Sequence, residues 1–332
     1  MSAAERCFVK LTNQYYKPII YTVTATEDGN LLKTVLQRKL GISRKLMSRL
    51  KVTEQGIMLN GTRVYISEKV KPGDLVEVRL EQESSDDILP QPIPFDILYE
   101  DEALLIVNKQ PGIVVHPTKG HYANTLANGV VYYWQQKGEQ VRFRPVHRLD
   151  QETSGVLAIA KNAYVHQHIS EQMIAGNVTK KYTAMVHSTP ELTEGSVNEP
   201  IDRDPEEPHR RIVTPSGYPS LTYYKVRERY AHGSWVELQL GTGRTHQIRV
   251  HMSYLGCPLI GDKLYDVDHL AQALSSEKLE IARKLDESMS RQALHAEQLG
   301  FVHPLTGEMI VFTAPLPADM EELKQHLTMN KM

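Results

Sequence analysis

The sequence contains little cysteine, and this scarcity excludes several classes of protein. Only Cys7 and Cys257 occur among 332 residues, too few for a disulfide framework or a four-cysteine zinc site and typical of a reducing compartment. The chain also lacks an apolar run near the roughly 18 residues that cross a bilayer, and residues 1–18 lack the apolar core of a secretory signal. We therefore expect a cytoplasmic protein that does not bind membranes.

An excess of either charge is missing as well. The 38 Lys and Arg are balanced by 40 Asp and Glu, and the formal net charge of −2 gives no sign of a nucleic-acid partner. The distribution is more informative, because Lys33–Lys51 carries seven cations and no acid in 19 residues. A local positive field of this kind attracts polyanions. A solvated helix face is the alternative explanation, since short charge runs are common.

Composition divides the chain into three parts. The length of 332 residues corresponds to roughly two domains. Residues 81–94 concentrate acids, Ser and Pro with few core-forming side chains, which is typical of a linker. Residues 12–80 predict a compact helix, helix, hairpin module in which Ser43 caps the second helix. Residues 95–320 alternate short β runs with helices in a varied order, and this favours an α+β fold over a regular βαβ repeat.

Apolar periodicity locates the helices of the larger part. Repeats of three and four residues predict helices over 124–137, 163–175 and 245–254, separated by short runs that predict strands. The stretch 267–290 predicts one or two exposed amphipathic helices, and we assign no catalytic chemistry to it. The chemistry is expected in the strings that lie between these elements.

A lone carboxylate stands out in one of these strings. PVHRLDQETSGVLAIAK, residues 145–161, places Asp150 in a loop ahead of an apolar strand. Taken alone, such an aspartate is often a cap that accepts backbone N–H bonds. A second string, GTGRTHQIRVHMSYLGCPLIGDKLY over residues 241–265, places Arg244 and Arg249 on a predicted helix beside an apolar face. A cation in such a position needs an anionic partner, which favours a functional role for the carboxylate.

Both strings resemble the signature of the pseudouridine synthases that modify ribosomal RNA uridines, in the branch with an S-four-like RNA-binding domain ahead of the catalytic domain. VNKQPGIVVHP, KKYTAMV and RQALHA, at 107–117, 180–186 and 291–296, extend the likeness. ISRKLMSRLK, IMLNGTRV and VKPGDLVEV in the small module resemble the S-four-like domain. The resemblance implies a pseudouridine synthase fold over residues 95–320, with a mixed, largely antiparallel sheet flanked by helices and loops, and an S-four-like domain over residues 12–80.

The resemblance also implies which residues carry the chemistry. The catalytic aspartate, the last residue of HRLD, falls on Asp150, and the active-site tyrosine falls on Tyr182, for which a half-buried strand aromatic is the alternative. The arginine that pairs with the aspartate, the second of GRTHQIR, falls on Arg249. Arg148 resembles the arginine that replaces the extruded uridine in the RNA helix. Further residues are expected to contact RNA: His147, Arg244, His246, Arg44, Lys45, Arg49 and Lys51.

The implied activity is the isomerisation of uridines, above all those of large-subunit (23S) ribosomal RNA. The resemblance implies a monomeric enzyme that needs no cofactor and does not act on DNA. Pseudouridine forms when the bond from ribose to the base nitrogen is cleaved, uracil rotates, and the base is rejoined through carbon 5. Asp150 must be ionised, either to add covalently to the nucleotide or to take a proton from the ribose. An opposite charge at about 4 Å typically lowers a carboxyl pKa by one to three units, and Arg249 would have this effect.

Other classes of function fit the sequence less well. His246 and His251 have a metal-like spacing but no Glu beside the first His, so we expect no metal site. Gly241 and Gly243 do not form a dinucleotide-binding fingerprint. The rival from another class is a non-catalytic RNA-binding or ribosome-assembly factor on the same scaffold. Loss of the aspartate or its arginine would have indicated that rival, and both residues are present.

Overall fold

The first part of the chain folds around a small antiparallel sheet. The computed structural model describes residues 15–118, 120, 122–270 and 275–329, so Cys7 and the predicted start of the small module at 12–14 lie outside the described residues. The strand order of the small sheet is β1-β4-β2-β3. Its elements are β1 (Ile19–Thr22), a 3-10 turn (Ala25–Glu27), α1 (Leu32–Arg38), α2 (Arg44–Leu50), β2 (Ile57–Leu59), β3 (Thr62–Arg63) and β4 (Leu75–Val78).

Helix α2 forms because its sequence supplies both a cap and an apolar face. The hydroxyl of Ser43 accepts a hydrogen bond from the backbone N–H of Leu46 at 3.2 Å, which caps the helix as predicted. Leu46, Met47 and Leu50 are buried, so the cations between them face solvent. The turn Asn60–Gly61, with φ of 51° and 75°, joins β2 to β3 as a tight hairpin.

A second, larger sheet organises the rest of the chain. Its nine strands follow the order β5-β6-β7-β14-β8-β13-β12-β9, with β15 also paired to β14. Only the β7–β14 pairing is parallel among the strands described. The α+β class and the largely antiparallel sheet are therefore confirmed. The nine strands are β5 (Asp96–Glu100), β6 (Leu104–Lys109), β7 (Ser154–Ala160), β8 (Thr179–His187), β9 (Glu194–Val197), β12 (Thr222–Tyr230), β13 (Gly233–Leu240), β14 (Leu294–Val302) and β15 (Met309–Thr313). Two further strands, β10 (Ile201–Arg203) and β11 (Arg211–Val213), form a separate two-stranded sheet.

Three helices lie close to where the periodicity predicts them, over 124–137, 163–175 and 245–254, whereas the helix at Ala318–Met329 was not predicted. The predicted amphipathic stretch 267–290 contains a 3-10 turn (Val267–Leu270) and one helix, and its residues 271–274 lie outside the described part. No helix among the described residues is both long and apolar enough to span a bilayer. The helices are α3 (Leu126–Gln136), α4 (Ala163–Ile174), α5 (Gln247–Tyr254), α6 (Ser276–Glu287) and α7 (Ala318–Met329).

The connecting segment 81–94 has no helix or strand, yet it packs against the part of the chain that contains the large sheet. Ile88 is 4% exposed and belongs to the apolar cluster of that part. The hydroxyl of Ser85 accepts a hydrogen bond from the backbone N–H of Phe143 at 2.8 Å. Because Ile88 and Ser85 are fixed in this way, the segment packs against the larger part of the chain.

Helix α4 contacts the small module directly. The side-chain amide of Gln167 donates to the carbonyl of Gly41 at 2.6 Å, and its oxygen accepts from the backbone N–H of Ser43 at 3.1 Å. A ring nitrogen of His168 lies 3.2 Å from the carbonyl of Leu40. One apolar cluster also contains buried residues of both parts. The start of the basic helix α2 is therefore fixed relative to α4.

A glycine allows the parallel pairing that positions the Asp150 loop. Gly155 lies opposite Ala296 in the β7–β14 pair, and its φ is 113°, in the region that favours glycine. A Cβ at this position would lie 2.1 Å from the carbonyl oxygen of Ala296. Backbone cannot move aside as a flexible side chain can, so the loop ahead of β7 depends on the absence of a side chain at Gly155.

We predict that Gly155→Ala strongly destabilises the fold. Gly138 has a φ of 71° and open space around it, so Gly138→Ala carries the backbone cost alone, about 1 to 2 kcal/mol. Gly155→Ala adds an overpacking cost of about 1 to 3 kcal/mol. The urea midpoint of Gly155→Ala should fall well below that of Gly138→Ala. Equal midpoints for the two variants would contradict the close approach.

Candidate active site

A cavity of about 860 Å³ opens where the loop before β7, strand β8 and the start of α5 meet. Its size is within the range of small-molecule sites. The residues of the small module that were predicted to contact RNA do not line this cavity. Seven other predicted site residues do: His147, Arg148, Asp150, Tyr182, Arg244, His246 and Arg249. The fold thus gathers side chains that are about a hundred positions apart in the chain.

Arg249 lies between two carboxylates. Its Nε and Nη2 each donate to an oxygen of Asp262 at 2.7 Å, while its Nη1 lies 3.7 Å from Oδ2 of Asp150. The Asp262 side chain is fully buried, whereas that of Asp150 is 30% exposed and faces the cavity. The predicted pair therefore exists as one half of a triad, in which Asp262 forms the shorter and more buried contact.

Asp262 is itself fixed by backbone. Its Oδ1 accepts hydrogen bonds from the N–H groups of Leu264 and Tyr265, at 3.0 and 3.1 Å. The ring of Tyr265 lies 5.1 Å from the guanidinium carbon of Arg249, within cation–π range. Burial opposes the charge of Arg249, but Asp262 and, more weakly, Asp150 raise the pKa of the guanidinium above its ordinary value. The cation therefore stays charged.

A buried lysine holds the loop that carries Asp150. Lys109 is 0% exposed, and its Nζ donates to the carbonyls of Gln110, Gln151 and Thr153 at 2.9, 2.8 and 2.8 Å. All three hydrogens of an ammonium are thereby satisfied. Since two of these carbonyls follow Asp150 directly in the chain, the lysine fixes the backbone of the loop.

A buried arginine holds the same loop from the other side. One nitrogen of Arg291 donates to the carbonyl of Glu152 at 2.9 Å and to that of Leu294 at 3.2 Å. The rest of the guanidinium forms a two-bond ion pair with Asp319, at 2.7 and 3.0 Å. Three consecutive carbonyls, those of residues 151–153, therefore accept hydrogen bonds from buried cations.

Tyr182 lies on β8 and is 7% exposed, at the wall of the cavity. Burial, reinforced by the negative charge of Asp150, raises the pKa of Tyr182 well above its usual range. The side chain is therefore a neutral phenol near neutral pH. It presents a flat apolar ring and a hydroxyl donor to whatever fills the cavity.

Two histidines of the cavity are uncharged near neutral pH. Burial, with a contribution from the positive charge of Lys180, lowers the pKa of His147 to about 4. Burial also lowers the pKa of His246, and Asp150 acts against this effect. His246 precedes α5 with a φ of 56°, and its Nδ1 lies 3.2 Å from the hydroxyl of Tyr265. Both histidines suit hydrogen bonding better than ion pairing.

The two arginines at the mouth of the cavity are exposed. Arg148 precedes Leu149 and Asp150 in the loop. Arg244 donates through Nε to the carbonyl of Pro219 at 3.3 Å, and its guanidinium carbon lies 5.5 Å from the centre of the Tyr218 ring. Of the two side chains, that of Arg244 is therefore the one held in place by described neighbours.

The predicted cations of the small module lie outside the cavity. Arg44, Lys45 and Lys51 are exposed. Arg49 forms an ion pair with Glu83, which also pairs with an arginine ahead of β7. The charge of Arg49 is therefore partly compensated within the protein, whereas the other three face solvent.

The histidines that sequence spacing suggested as metal ligands have other partners. His251 lies 2.8 Å from the hydroxyl of Thr222 through Nδ1 and 2.9 Å from the carbonyl of Glu199 through Nε2. Within the described residues, no group of three or more His, Cys, Asp or Glu is arranged to hold a metal ion.

Three residues of the site were missed by the sequence analysis: Lys109, Asp262 and Arg291. Each lies inside a string that carried the family resemblance, VNKQPG, PLIGD or RQALHA. A signal therefore existed, because each is a charged residue close to apolar ones, and a charge that becomes buried needs a partner. The sequence does not show which partner that is.

Comparison with known proteins identifies relatives that are named pseudouridine synthases. A family model described as RNA pseudouridylate synthase matches residues 103–254. The Bacillus subtilis (strain 168) protein named Uncharacterized RNA pseudouridine synthase YjbO is 40% identical over 286 residues, which are 86% of this chain and 95% of that protein. Ribosomal large subunit pseudouridine synthase D of Escherichia coli (strain K12) is 36% identical over 309 residues, 91% of this chain and 93% of that protein.

A solved structure agrees with these sequence matches. The protein described as Human RNA Pseudouridylate Synthase Domain Containing 4 superposes with a TM-score of 0.54 at 26% identity. The match covers 70% of this chain and 93% of that one. The likeness therefore extends from the sequence to the fold.

We predict that the stabilising effect of Lys109 depends on pH. Burial lowers its pKa from 10.5 to about 7, although Glu152 and Asp150 act in the opposite direction. The unfolded chain thus binds more protons between these values, so the contribution of Lys109 to stability rises with pH above 7 and is lost as pH falls through 7. The unfolding free energy of the wild type relative to Lys109→Met should rise by up to about 1.4 kcal/mol per pH unit between pH 7 and 9.

Lys137 supplies the control for this prediction, since its ion pairs with Glu139 and Glu100 raise its pKa. The difference between the wild type and Lys137→Met should therefore be flat between pH 7 and 9. Urea unfolding at several pH values measures both differences. A flat difference for Lys109→Met would show that Lys109 keeps its ordinary pKa in the fold.

Proposed function

Because the chain belongs to the RNA pseudouridine synthase family, we propose that it isomerises specific uridines of large-subunit (23S) ribosomal RNA. The protein is an isomerase, and RNA is its substrate. The observation that carries the finer proposal is the position of Asp150 at the cavity, 3.7 Å from Arg249 and on the wall shared with Tyr182. The relatives named for the large ribosomal subunit, which align along most of the chain, support the choice of ribosomal RNA.

We propose that the reaction begins at Asp150, the partly exposed carboxylate of the triad. The carboxylate either attacks carbon 1 of the ribose, so that uracil leaves with the bonding electron pair, or takes a proton from the ribose so that the same bond breaks. Arg249 keeps a positive charge beside the carboxylate without a short hydrogen bond to it. Its firm attachment to Asp262 leaves Asp150 able to react.

The detached uracil must then rotate without escaping. Tyr182, as a neutral phenol, can stack on the ring and donate a hydrogen bond, but a protonated phenol does not act as a base. When carbon 5 bonds to the ribose, its proton must leave, and the carboxylate of Asp150 is then available to accept it. We therefore assign Tyr182 to holding the base and Asp150 to the proton transfer.

Extrusion of the uridine is assigned to the exposed Arg148. Taking a base out of its stack costs a few kcal/mol, and a guanidinium that enters the gap offsets part of this by stacking and hydrogen bonding. His147, Arg244 and His246 line the same cavity and are proposed to contact the nucleotides beside the target. No step of this scheme calls for a cofactor.

The small module is proposed to be an S-four-like RNA-binding domain over residues 12–80, and the catalytic domain to span residues 95–320. The exposed cations of α2 support this role, because phosphate contacts supply most of the affinity of such modules. We also propose that the protein acts as a monomer in the cytoplasm. Bacteria such as those of its relatives make ribosomal RNA in this compartment. A ribosome-assembly role without catalysis is not favoured, since the full triad of Arg249, Asp150 and Asp262 is present.

The choice of substrate is tested by incubating the purified protein with transcripts of large-subunit and small-subunit ribosomal RNA. Pseudouridines are then mapped by chemical labelling. New pseudouridine at discrete positions of the large-subunit transcript alone is the expected result. Modification confined to the small-subunit transcript, or to transfer RNA, would overturn the proposed substrate while leaving the isomerase activity intact.

We predict that Asp150→Asn binds ribosomal RNA but lowers the rate of pseudouridine formation by at least about a thousandfold, since it removes the reacting carboxylate. Glu152→Gln is the matched control, because Glu152 lies two residues away and does not line the cavity. Gel-shift binding and product mapping measure the two properties. Near-normal product from Asp150→Asn would show that another group performs the chemistry.

We predict that Arg44→Glu combined with Lys45→Glu weakens RNA binding by at least tenfold and lowers the salt dependence of affinity, because two phosphate contacts are lost. Lys278→Glu combined with Lys284→Glu makes the same charge change on α6, which we place outside the RNA path. Affinities measured from 50 to 300 mM salt compare the two variants. Equal losses would mean that net charge, and not the surface of α2, determines binding.

A further inference from the structure

One cation of the cavity wall, Lys180, has no role in the proposed reaction. Lys180 lies on β8 two residues before Tyr182, and both side chains line the cavity. Successive side chains of a strand point to opposite faces, so Lys181 between them points away. Its Nζ lies 4.0 Å from an oxygen of Glu237 on the neighbouring strand. Adjacent lysines therefore meet very different surroundings.

Lys180 differs from the other buried cations of the site in its partners. Arg249 is paired with Asp262, and Lys109 donates to three carbonyls. For Lys180, no acidic or carbonyl partner is found within the part of the chain that the structure describes, although the residue is half-buried. Burial lowers the pKa of its ammonium. A desolvated cation without a counter-charge is costly, and an anion brought by the substrate would offset that cost.

The backbone beside Lys180 is open to close approach. A Cβ at Gly243 would lie 3.6 Å from the Nζ of Lys180, so the ammonium sits against a glycine. Gly241 and Gly243 are exposed at the mouth of the cavity. Gln247 fixes this loop, since its side-chain oxygen accepts from the hydroxyl of Thr242 at 2.8 Å and from the N–H of residue 244 at 2.9 Å. Because two of the loop residues are glycines, a polymer backbone can come near the ammonium.

The spacing along β8 matches one nucleotide. Two residues of a strand span about 6.6 Å, a distance comparable with that from a pyrimidine ring to the phosphate of its own nucleotide. A uracil stacked on Tyr182 would therefore carry a phosphate toward Lys180. Resting on the proposed function, we propose that Lys180 binds a phosphodiester group flanking the extruded uridine and so fixes the nucleotide while its base is detached.

The first experiment compares two adjacent lysines in the full-length protein. Affinity for a large-subunit rRNA transcript is measured between 50 and 300 mM salt for the wild type, Lys180→Gln and Lys181→Gln. Lys180→Gln should bind about tenfold more weakly, as expected for a lost charged hydrogen bond. It should also reduce the slope of log affinity against log salt by about 0.7 to 0.9, one phosphate contact. Lys181→Gln should match the wild type, and Lys180→Arg should restore the slope.

A second experiment removes the charge from the RNA as well as from the protein. Once the modified uridine is mapped, short RNAs carry a neutral methylphosphonate either 5′ or 3′ of it. One of the two modified RNAs should bind the wild type about tenfold more weakly than unmodified RNA does. Lys180→Gln should bind this modified RNA and the unmodified RNA equally well. The inference would be overturned if Lys180→Gln and Lys181→Gln gave equal slopes of log affinity against log salt. It would also be overturned if the affinity losses caused by Lys180→Gln and by the methylphosphonate simply added when the two changes were combined.

The two proposals fail in different ways. If the wild type forms no pseudouridine in any RNA, the proposed function is wrong, and the salt slopes still report whether Lys180 contacts a phosphate. If pseudouridine forms and Lys180→Gln keeps the full slope, only the phosphate contact is wrong. A fall in turnover without a change in affinity would also contradict it, because a phosphate contact acts on binding.

Discussion

The site depends on one guanidinium that serves two carboxylates unequally. Arg249 donates two 2.7 Å hydrogen bonds to the buried Asp262, and only its remaining edge faces Asp150, at 3.7 Å. Removing one partner of a buried pair typically costs about 3 to 5 kcal/mol, so Asp262 fixes the arginine firmly. Asp150 receives the electrostatic benefit of the cation without being held by a short bond. A carboxylate that lies beside a fixed cation and is not clamped by it suits the reaction proposed for Asp150.

The rest of the fold supplies the geometry that this arrangement needs. Lys109 and Arg291 hold three consecutive carbonyls directly after Asp150, and the parallel β7–β14 pairing, which admits no side chain at Gly155, fixes where the loop ends. The loop therefore has little freedom, although the Asp150 side chain itself faces an open cavity. A rigid backbone and an accessible side chain are what the reaction proposed for Asp150 requires.

Much of this could be predicted from the sequence, because periodicity locates the helices and the HRLD and GRTHQIR strings mark Asp150 and Arg249. The role of Asp262 could not, although its string was noticed, since a sequence does not show which of two acids lies closer to one arginine. Lys109 was missed for a related reason: its partners are carbonyls, which every residue has. The contact of Gln167 with Gly41 joins positions 126 residues apart, and no local pattern encodes such a contact.

The single-turnover rate of Arg249→Lys on ribosomal RNA tests the central claim most directly. A lysine keeps the positive charge but lacks the planar fork that reaches both acids at once. The account predicts a fall of at least about a hundredfold in rate, as small misplacements of reacting groups cause, with RNA affinity preserved. A rate within about threefold of the wild type would show that the bridging geometry is dispensable and would contradict the account.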